Sequence, residues 1–219
     1  MKALTLMLVL LTSLSFSSCA DAPDPTADNA STGTVNDYYS VGTEIYRWPS
    51  GKRITILLPA NSDVSTTGYT SAHRVAFLKG ITDWDSTIDG AGISYEIVTS
   101  GTADIIVSWS ATLGTGILGY ATSAGYINMA TYVYSAAIST DTIYTTANHE
   151  FGHALGLWSH SYDSADVMYP YEMGVTISGR DKATMAWVYT KTATYTLTGT
   201  SSTAQPPEQS CSFKVSPTN

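Results

Sequence analysis

Apolar positions along the chain switch between a period of two and a period near ~3.6, and the switches mark out its elements. "RITILL", residues 53–58, is a short β-branched run closed by Pro59, which predicts a strand. "TSAHRVAFLKGITDWDSTI" then places Phe77, Ile81 and Trp84 at i, i+4 and i+7, the spacing of one helical face packed on a sheet. "ISYEIV" alternates, with Ile93, Tyr95 and Ile97 on one side, and "ADIIVSW" is a short apolar run; both predict strands. "ATLGTGILGYATSAG" is rich in glycine and small residues and reads as a loop, and "GYINMATYVY" as a further strand. A second helix is predicted over "STDTIYTTANHEFGHALGL", with Ser139, Thr140 or Asp141 as its cap and Gly156 as a left-handed stop. "SGRDKATMAWVYT" predicts a last helix capped by Ser178. This order implies one α+β domain, or an α/β domain with few helices. It suits a sheet-and-helix upper lobe over a small, irregular lower lobe.

The ends differ in composition from this middle. Lys2 precedes "ALTLMLVLLTSL", an apolar run too short to span a bilayer, so residues 1–18 read as a signal peptide. "SFSSCA" follows and resembles a bacterial lipobox with Phe16 where leucine is commoner; Cys19 would then be lipidated and tether the chain to a membrane. Ordinary cleavage after Ala20 is the alternative, because Ser18 and Ala20 fit the small-x-small rule. Residues 19–42 hold Asp, Pro, Ala, Ser and Thr with almost no large aliphatics, as expected of a linker or short pro-segment. The domain is expected over 43–192, and residues 193–219 as an extended polar tail. Cys19 and Cys211 are the chain's two cysteines, so loss or lipidation of Cys19 would leave Cys211 unpaired.

Composition narrows the partners. Of 219 residues only 13% are charged, and the formal charge of −8 argues against nucleic acid and against a polybasic membrane contact. The abundance of Ser, Thr and Tyr fits an extracytoplasmic surface, and the chain is expected to be monomeric.

The chemistry concentrates in "HEFGHALGLWSH", residues 149–160. Positions i and i+4 share one face of a helix, so His149 and His153 can aim ring nitrogens at one ion. Glu150 can reach a water beside that ion without ligating it and act as general base. Three of the four histidines lie in this stretch with the helix-stopping Gly156 among them, a set that chance rarely assembles. His73, the fourth, reads as a surface or satisfied histidine rather than a ligand. The third ligand is open to competition. His160 stands four residues after Gly156, and a one-residue bulge would bring it to the metal; Asp163 and Asp166 are chemically acceptable rivals, with His160 favoured. Glu172 is disfavoured by its position.

Together with "ADVMYPY", "ISGRDKATMAWVY", "YRWPSGKRITILL" and "GTADIIVSW", this stretch resembles the metzincin zinc endopeptidases, and the matrixin branch in particular, over residues 45–190. The resemblance implies a twisted, mostly parallel sheet with an antiparallel edge strand, two long helices, and a small C-terminal subdomain holding a Met-turn and the final helix. It implies one catalytic zinc on His149, His153 and His160, with Glu150 as base and Met168 beneath the site. The edge strand that pairs with substrate would be "GYINMAT", bringing Tyr126 and Asn128 to the cleft. Tyr169 and Tyr171 would be pocket wall, and Glu172 to Ser178 would line the pocket for the side chain after the scissile bond. Peptides or proteins would be the substrates. The sequence departs from the matrixin pattern in lacking a cysteine switch, and loops that would hold calcium or structural zinc are not visible in residues 110–135. A capping carboxylate from Asp21, Asp24, Asp28 or Asp37 would be a substitute, although acids in a linker are commonly just solvated. From another class, a zinc-stabilised surface binding lipoprotein without turnover is the alternative, and the intact Glu150 counts against it.

Overall fold

A computed structural model of the chain describes residues 17–18, 44–60, 65–200 and 209–216. Its elements in chain order are β1 (Ser17–Ser18), β2 (Tyr46–Arg47), β3 (Arg53–Leu57), α1 (Ser71–Thr82), α2 (Asp85–Gly90), β4 (Ser94–Val98), β5 (Ile105–Ser110), β6 (Ile117–Thr122) and β7 (Tyr126–Ala130). There follow β8 (Tyr132–Val133), β9 (Ala136–Ala137), α3 (Thr140–Leu155), β10 (Tyr171–Glu172), α4 (Gly179–Thr190), β11 (Tyr195–Thr196) and β12 (Gln209–Val215). The expected signal peptide and linker, residues 1–18 and 19–42, lie outside the described residues apart from the two of β1.

The main sheet runs β1-β12-β6-β7-β5-β3-β4. β4, β3, β5 and β7 pair in parallel, while β6 pairs antiparallel with β7 and β12 antiparallel with β6. This is the α+β architecture expected, with a mostly parallel sheet that turns antiparallel at one side. Alternation along the central strands buries Ile54, Ile56, Ile105, Val107, Ile127 and Met129, which α1 and α3 cover. Phe77 and Ile81 face inward from α1 as their spacing predicts. The helix predicted through residue 88 is instead two helices, broken at Asp83 and Trp84. The break lets the fully buried Trp84 donate its indole N–H to the Asn148 carbonyl of α3 at 3.0 Å, while the Asp83 carboxylate accepts from Asn148 Nδ2 at 2.9 Å and from the Tyr144 hydroxyl.

Three further expectations are corrected. "ILGYAT" is a strand, not a loop. Gly119 is there because α3 packs against it: an added Cβ would stand 2.7 Å from Thr146 Cγ2 and 3.0 Å from Glu150 Cγ. With β6 formed, "GYINMAT" is an interior strand between β5 and β6 rather than the edge. Nor do the described residues after 193 form a free polar tail. β11 pairs in parallel with β2, β12 enters the main sheet, and Leu197, Cys211 and Phe213 are buried. Cys211 is disulfide-bonded, and Cys19 is the only other cysteine in the chain. Among the described residues no helix is long and apolar enough to cross a membrane.

His73 caps α1. Its Nδ1 accepts the Thr70 N–H at 3.3 Å while Thr70 Oγ1 accepts the His73 N–H at 3.3 Å, and the ring stacks on Trp109. Burial holds its pKa below the ordinary 6.5. The unfolded chain therefore binds the proton more readily, and this contribution to stability is full above that value and lost as pH falls through the depressed folded pKa. The melting temperature of wild type should drop more steeply than that of His73→Gln between pH 7 and pH 5, a difference read by thermal denaturation across that range.

Candidate metal centre

α3 is positioned by a cap at one end and by side chains clamped on its carbonyls at the other. Of the three candidate caps Ser139 is the one used, its Oγ accepting the Thr142 N–H at 3.1 Å. Trp48 Nε1–H donates to the Ala154 carbonyl at 2.9 Å and the Tyr189 hydroxyl to the Leu155 carbonyl at 2.8 Å, beside the Trp84 bond to Asn148. Every residue from Thr145 to Leu155 is buried, so the histidine helix passes through the interior.

The four-residue spacing brings His149 and His153 together with their Nε2 atoms 2.9 Å apart. Each Nδ1 lies against a backbone carbonyl, His149 on Val167 O at 2.6 Å and His153 on Leu157 O, so Nδ1 carries the proton and Nε2 is a bare acceptor on both rings. Two lone pairs facing each other repel unless a cation takes both. Ligands of one tetrahedral zinc stand about 3.4 Å apart, close to the spacing found. His160 completes the group: its ring lies 5.3 Å from that of His149 and 5.0 Å from that of His153, and one nitrogen from each of the three falls within 4.8 Å of the others. Burial first, then a neighbouring imidazole, holds the pKa of His149 and His153 well below the usual value, which keeps them neutral as a metal requires.

The extra residue before His160 is absorbed by a tight turn. Gly156 has φ 125°, and Trp158 N–H returns to the Gly156 carbonyl at 3.1 Å, closing a three-residue turn around Leu157. That turn points the Leu157 carbonyl at His153 and lays the Trp158 ring along the His153 imidazole, 5.6 Å between centroids. The rivals Asp163 and Asp166 are engaged elsewhere. Arg180 Nη2 reaches Asp163 at 2.7 Å and Asp166 at 2.6 Å, and Asp166 also accepts from Ser178 Oγ at 2.6 Å and from Ser161 Oγ.

Met168 is fully buried under α3, its sulfur 2.5 Å from where a Cβ on Gly152 would stand. Asp181, paired with Ser178 in the capping box of α4, accepts the Val167 N–H at 2.9 Å and the Met168 N–H at 3.4 Å. It thereby fixes the carbonyl that orients His149. Glu150 is fully buried; its Oε1 accepts the Phe213 N–H at 3.2 Å, and its Oε2 has no hydrogen-bond partner among the described residues. Burial pushes its pKa well up, opposed by the backbone N–H groups of Phe213 and Ala121. A buried oxygen left without a donor among the described residues, beside three gathered imidazoles, fits a site built around a cation and a water.

Tyr126 is exposed on β7, the Asn128 amide bonds the Ser108 hydroxyl, and β6 and β12 lie beyond β7, so neither residue stands on the sheet edge. Tyr169 and Tyr171 face each other at 5.9 Å, and Tyr171 pairs with Lys214 of β12. Phe213, Gly119 and Asp181 were not marked by the sequence reading. The alternation of Cys211, Phe213 and Val215 in "CSFKV" is the period-two signal that announces β12.

The family model described as Matrixin matches residues 131–190, the stretch from the end of the sheet through α3, His160 and Met168 to the end of α4. His149, His153 and His160, with Glu150 and Met168, all fall within this matched stretch, so over these residues the chain is similar to the matrixin metalloproteases. Two solved structures of myroilysin are similar to it at low identity. One is 20% identical over 67% of this chain and 83% of that one, with a TM-score of 0.42. The other is 19% identical over 71% and 95%, also with a TM-score of 0.42. No curated protein matches the chain.

Gly156 makes the turn testable. A Cβ there would stand 2.3 Å from the Tyr46 carbonyl oxygen at a φ that other residues avoid. Gly156→Ala should destabilise the chain by about 2–4 kcal/mol, measured by chemical denaturation. An unchanged midpoint would mean that the turn is not as described.

Proposed function

We propose that the chain is a zinc-dependent endopeptidase that hydrolyses peptide bonds in proteins outside the cytoplasm, with one zinc on His149, His153 and His160 and Glu150 as general base. The observation that carries the reading is the pair of proton-free Nε2 atoms 2.9 Å apart, with His160 beside them and the uncommitted Glu150 oxygen next to the group. Zinc, when bound there, supplies a Lewis acid for the scissile carbonyl and lowers the pKa of an attacking water. Glu150 accepts a proton from that water on Oε2 as the carbon–oxygen bond forms, and gives it to the departing amine as the carbon–nitrogen bond breaks. Its raised pKa suits both halves of the task, because a carboxylate held far below neutrality would be a weak base and a poor donor. The extracytoplasmic assignment is supported by the leader-like run after Lys2, by the sparse charge and by the bonded state of Cys211.

Zinc content and activity together test this. Wild type should hold about one zinc per chain, and His160→Ala should lose most of it, while Asp163→Asn, which weakens the contacts to Arg180 and the Ala165 N–H, should keep it. Glu150→Ala should keep the metal yet lower kcat on an unfolded protein by at least about 100-fold. Unchanged cleavage in that variant would remove Glu150 from the mechanism, and retained zinc in His160→Ala would remove His160 from the ligand set.

A further inference from the structure

β12, from the chain's own C-terminal part, passes directly over Glu150 and His149. β12 runs antiparallel to β6, pairing Cys211 with Ala121, Ser212 with Tyr120 and Phe213 with Gly119. On its other side it runs parallel to β10, pairing Lys214 with Tyr171 and Val215 with Glu172, and the Lys214 N–H donates to the Pro170 carbonyl at 3.2 Å. An extended peptide added to the sheet's antiparallel side would make this same set of bonds. What separates β12 from an ordinary strand is where its middle lies. The Phe213 N–H donates to Glu150 Oε1 at 3.2 Å, and the Phe213 ring stacks on His149 with centroids 4.3 Å apart and planes inclined by 26°.

A general base that returns its proton to the leaving nitrogen must stand within hydrogen-bond reach of that nitrogen. In this structure the nitrogen in that place is the amide of Phe213. The Ser212–Phe213 bond therefore lies where a substrate's scissile bond would lie, and the Phe213 ring lies where the side chain just after it would go. With the N–H directed into Glu150, the base is engaged by the segment and shielded from substrate. We propose that residues Gln209–Val215 form a substrate-like strap that fills the cleft and must leave before a peptide can enter. The inference rests on the reading of Glu150 and the three histidines as the hydrolytic site. Because Cys211 is bonded as well as buried, the strap is held at its centre in addition to its edges.

The test uses the full chain with the double substitution Cys211→Ser and Phe213→Ala. Its kcat/KM on a quenched fluorogenic peptide carrying Phe after the cleavable bond should exceed wild type by at least about tenfold, since an occupied cleft lowers apparent affinity by the fraction that is open. A second readout needs neither turnover nor metal. A fluorescein-labelled peptide of residues 208–216, with serine for Cys211, should raise its anisotropy on the double variant and not on wild type. Should the variant fold poorly, wild type alone decides. Hydrogen exchange of residues 209–215 should quicken in a saturating excess of the unlabelled peptide while that of α3 stays slow. An equally active variant that binds the peptide no better than wild type would overturn the strap, as would exchange of β12 that the peptide leaves unchanged. Release of residues 213–219 from zinc-loaded wild type would overturn it as a standing block. If both chains hold zinc and neither cleaves any substrate, the endopeptidase reading fails, and anisotropy and exchange still report on the strap.

Discussion

The geometry of the site depends on two backbone carbonyls. Leu157 O and Val167 O each take an Nδ1–H from a histidine, and this turns the opposite nitrogens of His149 and His153 toward each other. Neither carbonyl belongs to a regular element, so each must be fixed by something else. Leu157 is fixed by the turn that Gly156 permits, and Val167 by the Asp181 carboxylate that takes the N–H groups of Val167 and Met168. The metal-binding helix alone would give two imidazoles on one face; the turn and the α4 cap decide where those imidazoles point.

The acids near the site are disposed to leave the histidines alone. Asp163 and Asp166 share Arg180, and Asp166 collects two serine hydroxyls besides, so a buried carboxylate that would otherwise compete for the cation is satisfied by protein donors. The pKa of Asp163 is held down by the Ala165 N–H first and by Arg180 second. Three imidazoles, two of them held neutral by burial, and one buried glutamate then remain for an ion.

Much of this was legible in the residues because short-range rules govern it. Four-residue spacing put His149 and His153 on one face, and the caps at Ser139 and Ser178 and the stop at Gly156 follow from local hydrogen bonding and backbone sterics. What stayed hidden depends on partners far away in sequence. Gly119 looked like a loop glycine, and only the approach of Thr146 and Glu150 from α3 shows that it is a strand residue with no room for a side chain. Missing β6 made β7 seem the edge, and with it Tyr126 and Asn128 seem cleft residues. The C-terminal segment is polar in composition, and that polarity masked the alternation of Cys211, Phe213 and Val215 that seats β12. The rivalry for the third ligand position likewise turned on Arg180, which no local pattern connects to Asp163.

Placing β12 over the histidines joins fold and site, because the strand that completes the sheet also contacts Glu150 and His149. Both roles presuppose the same centre, which X-ray absorption of the zinc-loaded chain measures most directly. The account predicts a first shell fitted by three imidazole nitrogens at about 2.0–2.1 Å, with the outer-ring scattering of three imidazoles. A shell with two imidazoles and a carboxylate would contradict it.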